Sequence, residues 1–146
     1  LAYPIGRLGR RVIVRAYQEA DVAGRSVVGT GHLLLGLVRD EGAVGNLLGR
    51  LGVSVEAARA EVEAAAVRGG QPRRRPGRPM LSIRAMRALA AAGGRAEARH
   101  GRWVAPQDIL VAVVSVEAST AGKVLRAMGV DVASLQESLP PDDEEP

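Results

Sequence analysis

The chain repeats itself, and that duplication limits its possible folds more than any other feature. Val28 to Val38 (VGTGHLLLGLV) lies over Val104 to Val114 (VAPQDILVAVV) at a spacing of 76 residues, and six apolar positions coincide. Further on, Leu51 to Val55 (LGVSV) matches Met128 to Val132 (MGVDV) after insertion of one residue. Ile5 and Leu81 occupy equivalent places ahead of the first helix of each copy. A repeat of this length is a supersecondary unit that cannot bury its apolar face alone, so the copies are expected to pack on one another.

Periodicity assigns helices to both copies. Val12, Ile13, Ala16, Tyr17 and Ala20 form a stripe at helical spacing. A second helix starts near Thr30, whose hydroxyl is expected to cap it, and carries Leu33, Leu34, Leu37 and Val38. A third carries Val44, Leu47, Leu48 and Leu51 and stops at Gly52, which reads as a left-handed cap. Ser54 caps a fourth, with Val55, Ala58 and Val62 inward. In the second copy a helix runs from about Ser82 to Arg99, where Gly93 and Gly94 should weaken or bend it. Pro106 opens the next, Gly129 ends a third, and Asp131 caps a last helix bearing Val132, Leu135 and Leu139. The fold class is therefore all-α: two four-helix repeats, about eight helices, related by a pseudo-two-fold axis. Repeat one spans 1–67, a basic Gly/Pro-rich linker 68–80, repeat two 81–139, and an acidic tail 140–146.

Composition narrows the chemistry. Aromatics are 2% of residues and Phe is absent, so the core must be built from Ala, Val, Leu and Ile. With no cysteine, disulfides, thiol nucleophiles and thiolate metal sites are excluded. No apolar run approaches the ~20 residues that span a bilayer, and the first residues lack the apolar stretch of a secretory signal. A cytoplasmic location fits best, with no membrane partner. His32 and His100 lack the company a metal site needs, so no metal is expected, and His32 reads as a hydrogen-bonded structural residue. Gly24 to Gly31 spaces glycines as a phosphate loop does, yet the Lys-Ser/Thr that would hold phosphate and magnesium is missing. No G-x-S-x-G motif and no carboxylate pair stands among the apolar residues. The chain reads as non-enzymatic and free of cofactors.

The formal charge of +4 is unevenly placed: from Ala64 to Ala96 there are eight Arg and no acid, while the last residues, DDEEP, hold four of the sixteen acids. Arg73, Arg74, Arg75 and Arg78, interleaved with Pro and Gly, are candidates for nucleic-acid contacts of the minor-groove kind. The plainer reading is a solvated basic linker. Trp103, the lone tryptophan, is expected to pack between the repeats.

The motifs then resemble a known family. Gly29 to Leu37 (GTGHLLLGL), Glu41-Gly42 and Leu51 to Ser54 (LGVS) follow, in order, the G-T-E-H-[IL]-L-L-G-L, E-G and L-G-[VI]-[SD] motifs of the N-terminal (Clp R) domain of ClpC- and ClpA-type AAA+ unfoldases, most closely the ClpC type. Leu81 to Leu89 (LSIRAMRAL) is similar to that family's F-T-P-R-A-K-K-V-L opening of repeat two. The resemblance covers residues 5 to 139 and implies an eight-helix domain that docks proteins or peptides: adaptors, unfolded or marked substrates, and Clp components. It also implies that positions 31 and 107, Glu in the ClpC type, grip phosphoarginine. Here they are Gly31 and Gln107, and neither offers the carboxylate that pairs bidentately with a guanidinium, so that recognition is expected to be lost. Some relatives bind cyclic peptide antibiotics on an apolar patch whose aromatics fall at about Ala2 and Leu81 and whose Lys falls at Met86. Tyr3 stands one residue from the first of these. The candidate peptide-binding residues are thus Tyr3, Ile5, Ile13, Leu81 and Met86, in a regulatory or decoy protein of the Clp system.

Overall fold

The computed structural model describes residues 3–71 and 77–141. Seven α-helices and one 3₁₀ helix are formed among them: α1 (Arg7–Val22), α2 (Thr30–Val38), α3 (Ala43–Arg50), α4 (Val55–Arg68), α5 (Ile83–Ala98), α6 (Pro106–Ser115), α7 (Thr120–Ala127) and the 3₁₀ helix Val132–Ser138. Two short strands, β1 (Val27–Val28) and β2 (Met80–Leu81), pair in parallel. The duplication survives in the order and spacing of the helices. Helix α5 begins and ends 76 residues after α1, and α6 begins 76 after α2; α7 and the 3₁₀ helix start 77 after α3 and α4, as the one-residue insertion requires.

The repeats are joined by exchanged backbone pairing. The chain start bonds to the entrance of α6: Gly6 N donates to Val104 O (3.1 Å) and Val104 N to Pro4 O (2.8 Å). The start of repeat two does the same at the entrance of α2: Ser82 N donates to Val28 O (2.9 Å) and Met80 N to Ser26 O (3.0 Å). Each repeat therefore completes a bridge for the other, in the pseudo-two-fold arrangement expected of them. Helices α2 and α6 lie at the centre, where Leu33, Leu34, Leu37, Ile109, Leu110 and Val113 are fully buried. Helix α2 reaches α1 at backbone distance because position 36 is Gly. A Cβ there would stand 2.3 Å from the carbonyl oxygen of Val12.

Several expectations are corrected. Thr30 does not cap α2, whose N-cap is Gly29. Its buried Oγ1 instead accepts from Ala121 N (3.3 Å) in the first turn of α7, tying repeat one to repeat two. Gly93 and Gly94 leave α5 unbroken. Gly93 is buried, and a Cβ at that position would lie 3.4 Å from the Tyr3 Cβ, so its smallness admits the chain start. The last element is a 3₁₀ helix rather than an α-helix, and Asp131 provides no side-chain cap. Trp103 is half-buried and lies outside the buried core. The linker is shorter than its composition suggests, since α4 continues through Arg68 and Met80 already belongs to β2. Other readings match: Gly52 (φ 86°) and Gly129 (φ 82°) take the left-handed conformation, and Ser54 accepts from Ala57 N (3.1 Å) at the start of α4.

Candidate functional site

The described side chains among those singled out from the sequence lie on several elements. Tyr3 and Ile5 lie against repeat two: the Tyr3 hydroxyl donates to Gly101 O, and Ile5 bridges Val104. Leu81 pairs with Val28 of repeat one and is partly buried. Ile13 lines a groove of about 670 Å³ with Val14, Tyr17 and Pro79, and Arg78 stands at its edge. Met86 projects half-exposed from α5. Arg73, Arg74 and Arg75 lie outside the described residues. Among the described residues, the exposed large apolar side chains are Val14, Val22, Met80, Ile83 and Met86, together with Leu51 and Val67.

The two positions that bear on phosphoarginine are both buried. A Cβ on Gly31 would come within 3.0 Å of both Thr120 and Val62, because α4 and α7 close over the first turn of α2. Gln107 is 2% exposed; its Nε2 donates to Pro141 O (2.8 Å), while its Oε1 is buried without a partner. The segment after the 3₁₀ helix thus lies over the start of α6.

Sequence reasoning missed the ionic residues, because their partners lie far apart along the chain. Glu19 on α1 is 7% exposed and receives two guanidiniums. Arg59 donates through Nε (2.8 Å) and Nη2 (2.9 Å), and Arg39 through Nη1 (3.0 Å). Hydrogen bonding from Arg59 is the main reason the Glu19 carboxyl is held below its usual range. Arg25, 3% exposed, grips Glu63 bidentately at 2.8 and 2.6 Å and donates to Gln71 O (3.0 Å). His32 accepts from Gly29 N through Nδ1 (3.1 Å), as a structural histidine should, and burial pushes its pKa down, keeping it neutral. Glu19, Arg39, Arg59 and His32 border a cavity of about 470 Å³ between α1, α2 and α4. Repeat two answers with a closed cluster. Asp108, fully buried, caps Ala105 N (2.8 Å) and takes Arg99 through Nε (2.9 Å) and Nη2 (2.7 Å). No group of His, Asp and Glu among the described residues is arranged to hold a metal ion. No helix among them is long and apolar enough to cross a membrane.

An all-helical double repeat with exchanged N-terminal bridges and a GTGHLLLGL-type central helix defines a recognisable class of domain fold. The profile of the Clp repeat (R) N-terminal domain matches residues 9–128, and the chain belongs to that family. It is 28% identical over 131 residues to a probable ATP-dependent Clp protease ATP-binding subunit of Chlamydia pneumoniae, a match covering 89% of this chain and 15% of that protein. It is 46% identical over 54 residues to the negative regulator of genetic competence ClpC/MecB of Bacillus subtilis, covering 36% of this chain and 7% of that protein. Its fold superposes on the N-terminal domain of the chaperone ClpD from Arabidopsis thaliana with a TM-score of 0.78 and 26% identity, covering 92% of this chain and 90% of that one. The chain therefore spans a small fraction of the length of these curated relatives and nearly all of the ClpD N-terminal domain.

Proposed function

We propose that this chain is a non-catalytic protein- and peptide-recognition module that docks adaptors or substrates of the Clp system. The observation that carries the reading is a Clp R fold whose helices α1 and α5 hold large apolar side chains in solvent, Val14 on the first and Ile83 and Met86 on the second. We further propose that the module acts as a regulator or decoy in Clp-dependent proteolysis by sequestering what it docks. The loss of phosphoarginine recognition belongs to the same proposal. It is supported by chemistry, since Gly31 and Gln107 carry no charge, and by burial, since neither position faces solvent.

The test is a titration of the chain into a labelled, permanently unfolded polypeptide, read by fluorescence anisotropy. Saturable binding that Val14→Glu and Met86→Glu each weaken severalfold is the expected result. Both side chains are half-exposed, so the substitutions leave the core intact. Failure to bind, or binding indifferent to both changes, overturns the reading. A steep loss of affinity for duplex DNA with rising salt would favour the rival reading, a nucleic-acid contact through Arg78 and its basic neighbours. Free phosphoarginine in a calorimeter should give no saturable heat.

A further inference from the structure

The two repeats cover the starts of their central helices differently. In repeat one α4 runs for 14 residues, and its Val62 lies over the first turn of α2. In repeat two the corresponding 3₁₀ helix has 7 residues and stops at Ser138. Leu139, Pro140 and Pro141 follow it as a strap. Leu139 is extended (φ −64°, ψ 131°) and packs partly buried against the core. It stands 77 residues after Val62, the offset that also separates the 3₁₀ helix from α4. Pro141 is exposed, and its carbonyl oxygen accepts from Gln107 Nε2 at 2.8 Å. A strap with two prolines therefore lies where repeat one has the second half of a helix.

Gln107 is the group this cover leaves unsatisfied. It is 2% exposed, and Oε1 of its side-chain amide is buried with no partner among the described residues. The strap cannot supply one. Pro140 and Pro141 have no backbone N–H, and that of Leu139 is spent on Gln136 O at 3.3 Å. It accepts from Gln107 and gives nothing back. An ordinary extended chain differs in this respect. The N–H and C=O of one of its residues point to the same edge, so a group opposite can exchange both bonds with it. The primary amide of Gln107 presents the matching donor and acceptor side by side. A segment with an N–H in place of the prolines would satisfy Oε1 and keep the Nε2 bond. Asp108, the adjacent carboxylate, is already taken by Arg99 and Arg95, and Gln107 carries no charge, so the contact reads main chain.

We propose that the start of α6 binds an extended peptide segment, one residue of which exchanges two hydrogen bonds with the Gln107 amide, and that the strap 139–141 is the built-in competitor for this site. The proposal rests on the reading of the chain as a peptide-recognition module. It adds a contact to main chain to the apolar side chains exposed on α1 and α5. The strap is displaceable because little holds it: the single bond from Gln107 and the partly buried Leu139. Segments held by so few contacts open locally without the rest of the domain. A buried acceptor left unpaired in the closed state and paired in the bound state changes affinity about tenfold.

The experiment uses two N-terminally labelled peptide amides, read by fluorescence polarisation. One copies the strap, Glu-Ser-Leu-Pro-Pro, and the other, Glu-Ser-Leu-Ala-Ala, has an N–H at both proline positions. The alanine peptide should bind about tenfold more tightly, although the proline peptide has less freedom to lose. Leu139→Ala loosens the strap and should raise the affinity of the alanine peptide severalfold, where a strap that serves stability alone would leave it unchanged. Pro141→Ala, at an exposed position, gives the strap an N–H and should lower that affinity severalfold. Gln107→Leu should abolish the preference between the peptides. Equal affinities for the two, a preference that survives Gln107→Leu, or an affinity indifferent to either strap variant overturns the proposal. If neither peptide binds the parent or Leu139→Ala while the unfolded polypeptide does, the site at α6 is wrong and the module reading stands. If nothing binds, both fall.

Discussion

Replacing Asp108 should show how repeat two is held closed. Its carboxylate is fully buried, and it does two jobs at the start of α6: it accepts from Ala105 N and it anchors the Arg99 guanidinium by two bonds. Arg95 adds an ion contact at 3.4 Å, although its Nε makes no hydrogen bond. Asp108→Ala removes a helix-capping acceptor, about 1 kcal/mol, and charge-assisted bonds of about 1.5–3 kcal/mol. Arg95 and Arg99 keep about a third of their side chains in solvent, so both can turn outward, and the full penalty for stranding a buried charge does not apply. The expected loss is about 3 kcal/mol, a large share of the ~5–15 kcal/mol that holds a domain together. In urea titrations followed by circular dichroism, that loss lowers the midpoint by about 1.5 M at a slope of about 2 kcal/mol/M. Arg99→Ala and the double variant complete a cycle, and the coupling between the two side chains should be at least about 1.5 kcal/mol. A coupling below about 0.5 kcal/mol would show that Asp108 acts as a cap alone and that the arginines are ornamental to stability.

Gly36→Ala should lower the melting temperature by several degrees, because its Cβ meets the Val12 carbonyl at 2.3 Å and α1 and α2 must separate. Restoring the ClpC-type carboxylates, Gly31→Glu with Gln107→Glu, should destabilise rather than recover phosphoarginine binding. The first crowds Thr120 and Val62, and the second buries a charge against the Pro141 carbonyl; thermal melts and calorimetry on the double variant check this. Stability should decline as pH falls below 6.5: His32 has a folded-state pKa lowered from 6.5 by burial, so its contribution is complete above 6.5 and is lost on acidification. His32→Asn, which keeps an acceptor for Gly29 N, should flatten the melting curve between pH 7 and 5; an unchanged slope would refute the assignment. Glu19, whose carboxyl is lowered from 4.5 chiefly by Arg59, contributes above 4.5 and is lost only as pH falls further.

What the sequence discloses and what it hides separate along a physical line. Features set by near neighbours are legible: the left-handed Gly52 and Gly129, the Ser54 cap and the apolar stripe Val12–Ala16–Ala20 each follow from residues within a turn or two. The register of the second repeat is legible because duplication copies it. Thr30 is misread because its hydroxyl serves an amide 91 residues away, and a cap signal looks the same whichever helix it serves. Gly93 is misread because a glycine that admits a distant side chain cannot be told from one that bends a helix. The ion clusters of Glu19 and Arg25 join residues 20 to 40 apart on different elements and connections, and no local pattern announces such pairs.

The same line explains why the repeats have come to differ while keeping one backbone plan. A carboxylate held by arginines occurs in both, but on different helices: Glu19 lies on α1, and Asp108 at the start of α6. In repeat one the long α4 supplies Arg59 to that cluster and borders an open cavity. In repeat two the arginines fold onto Asp108 directly, and the segment ending at Pro141 covers Gln107. A duplicated scaffold can leave one copy open while the other, closed at rest, supplies burial. The exchanged pairing of Ile5 with Val104 and of Leu81 with Val28 provides that link, because neither repeat completes its own entrance to the central helices. Closing repeat two therefore stabilises repeat one, and the open cavity persists on a core that its partner repeat holds together.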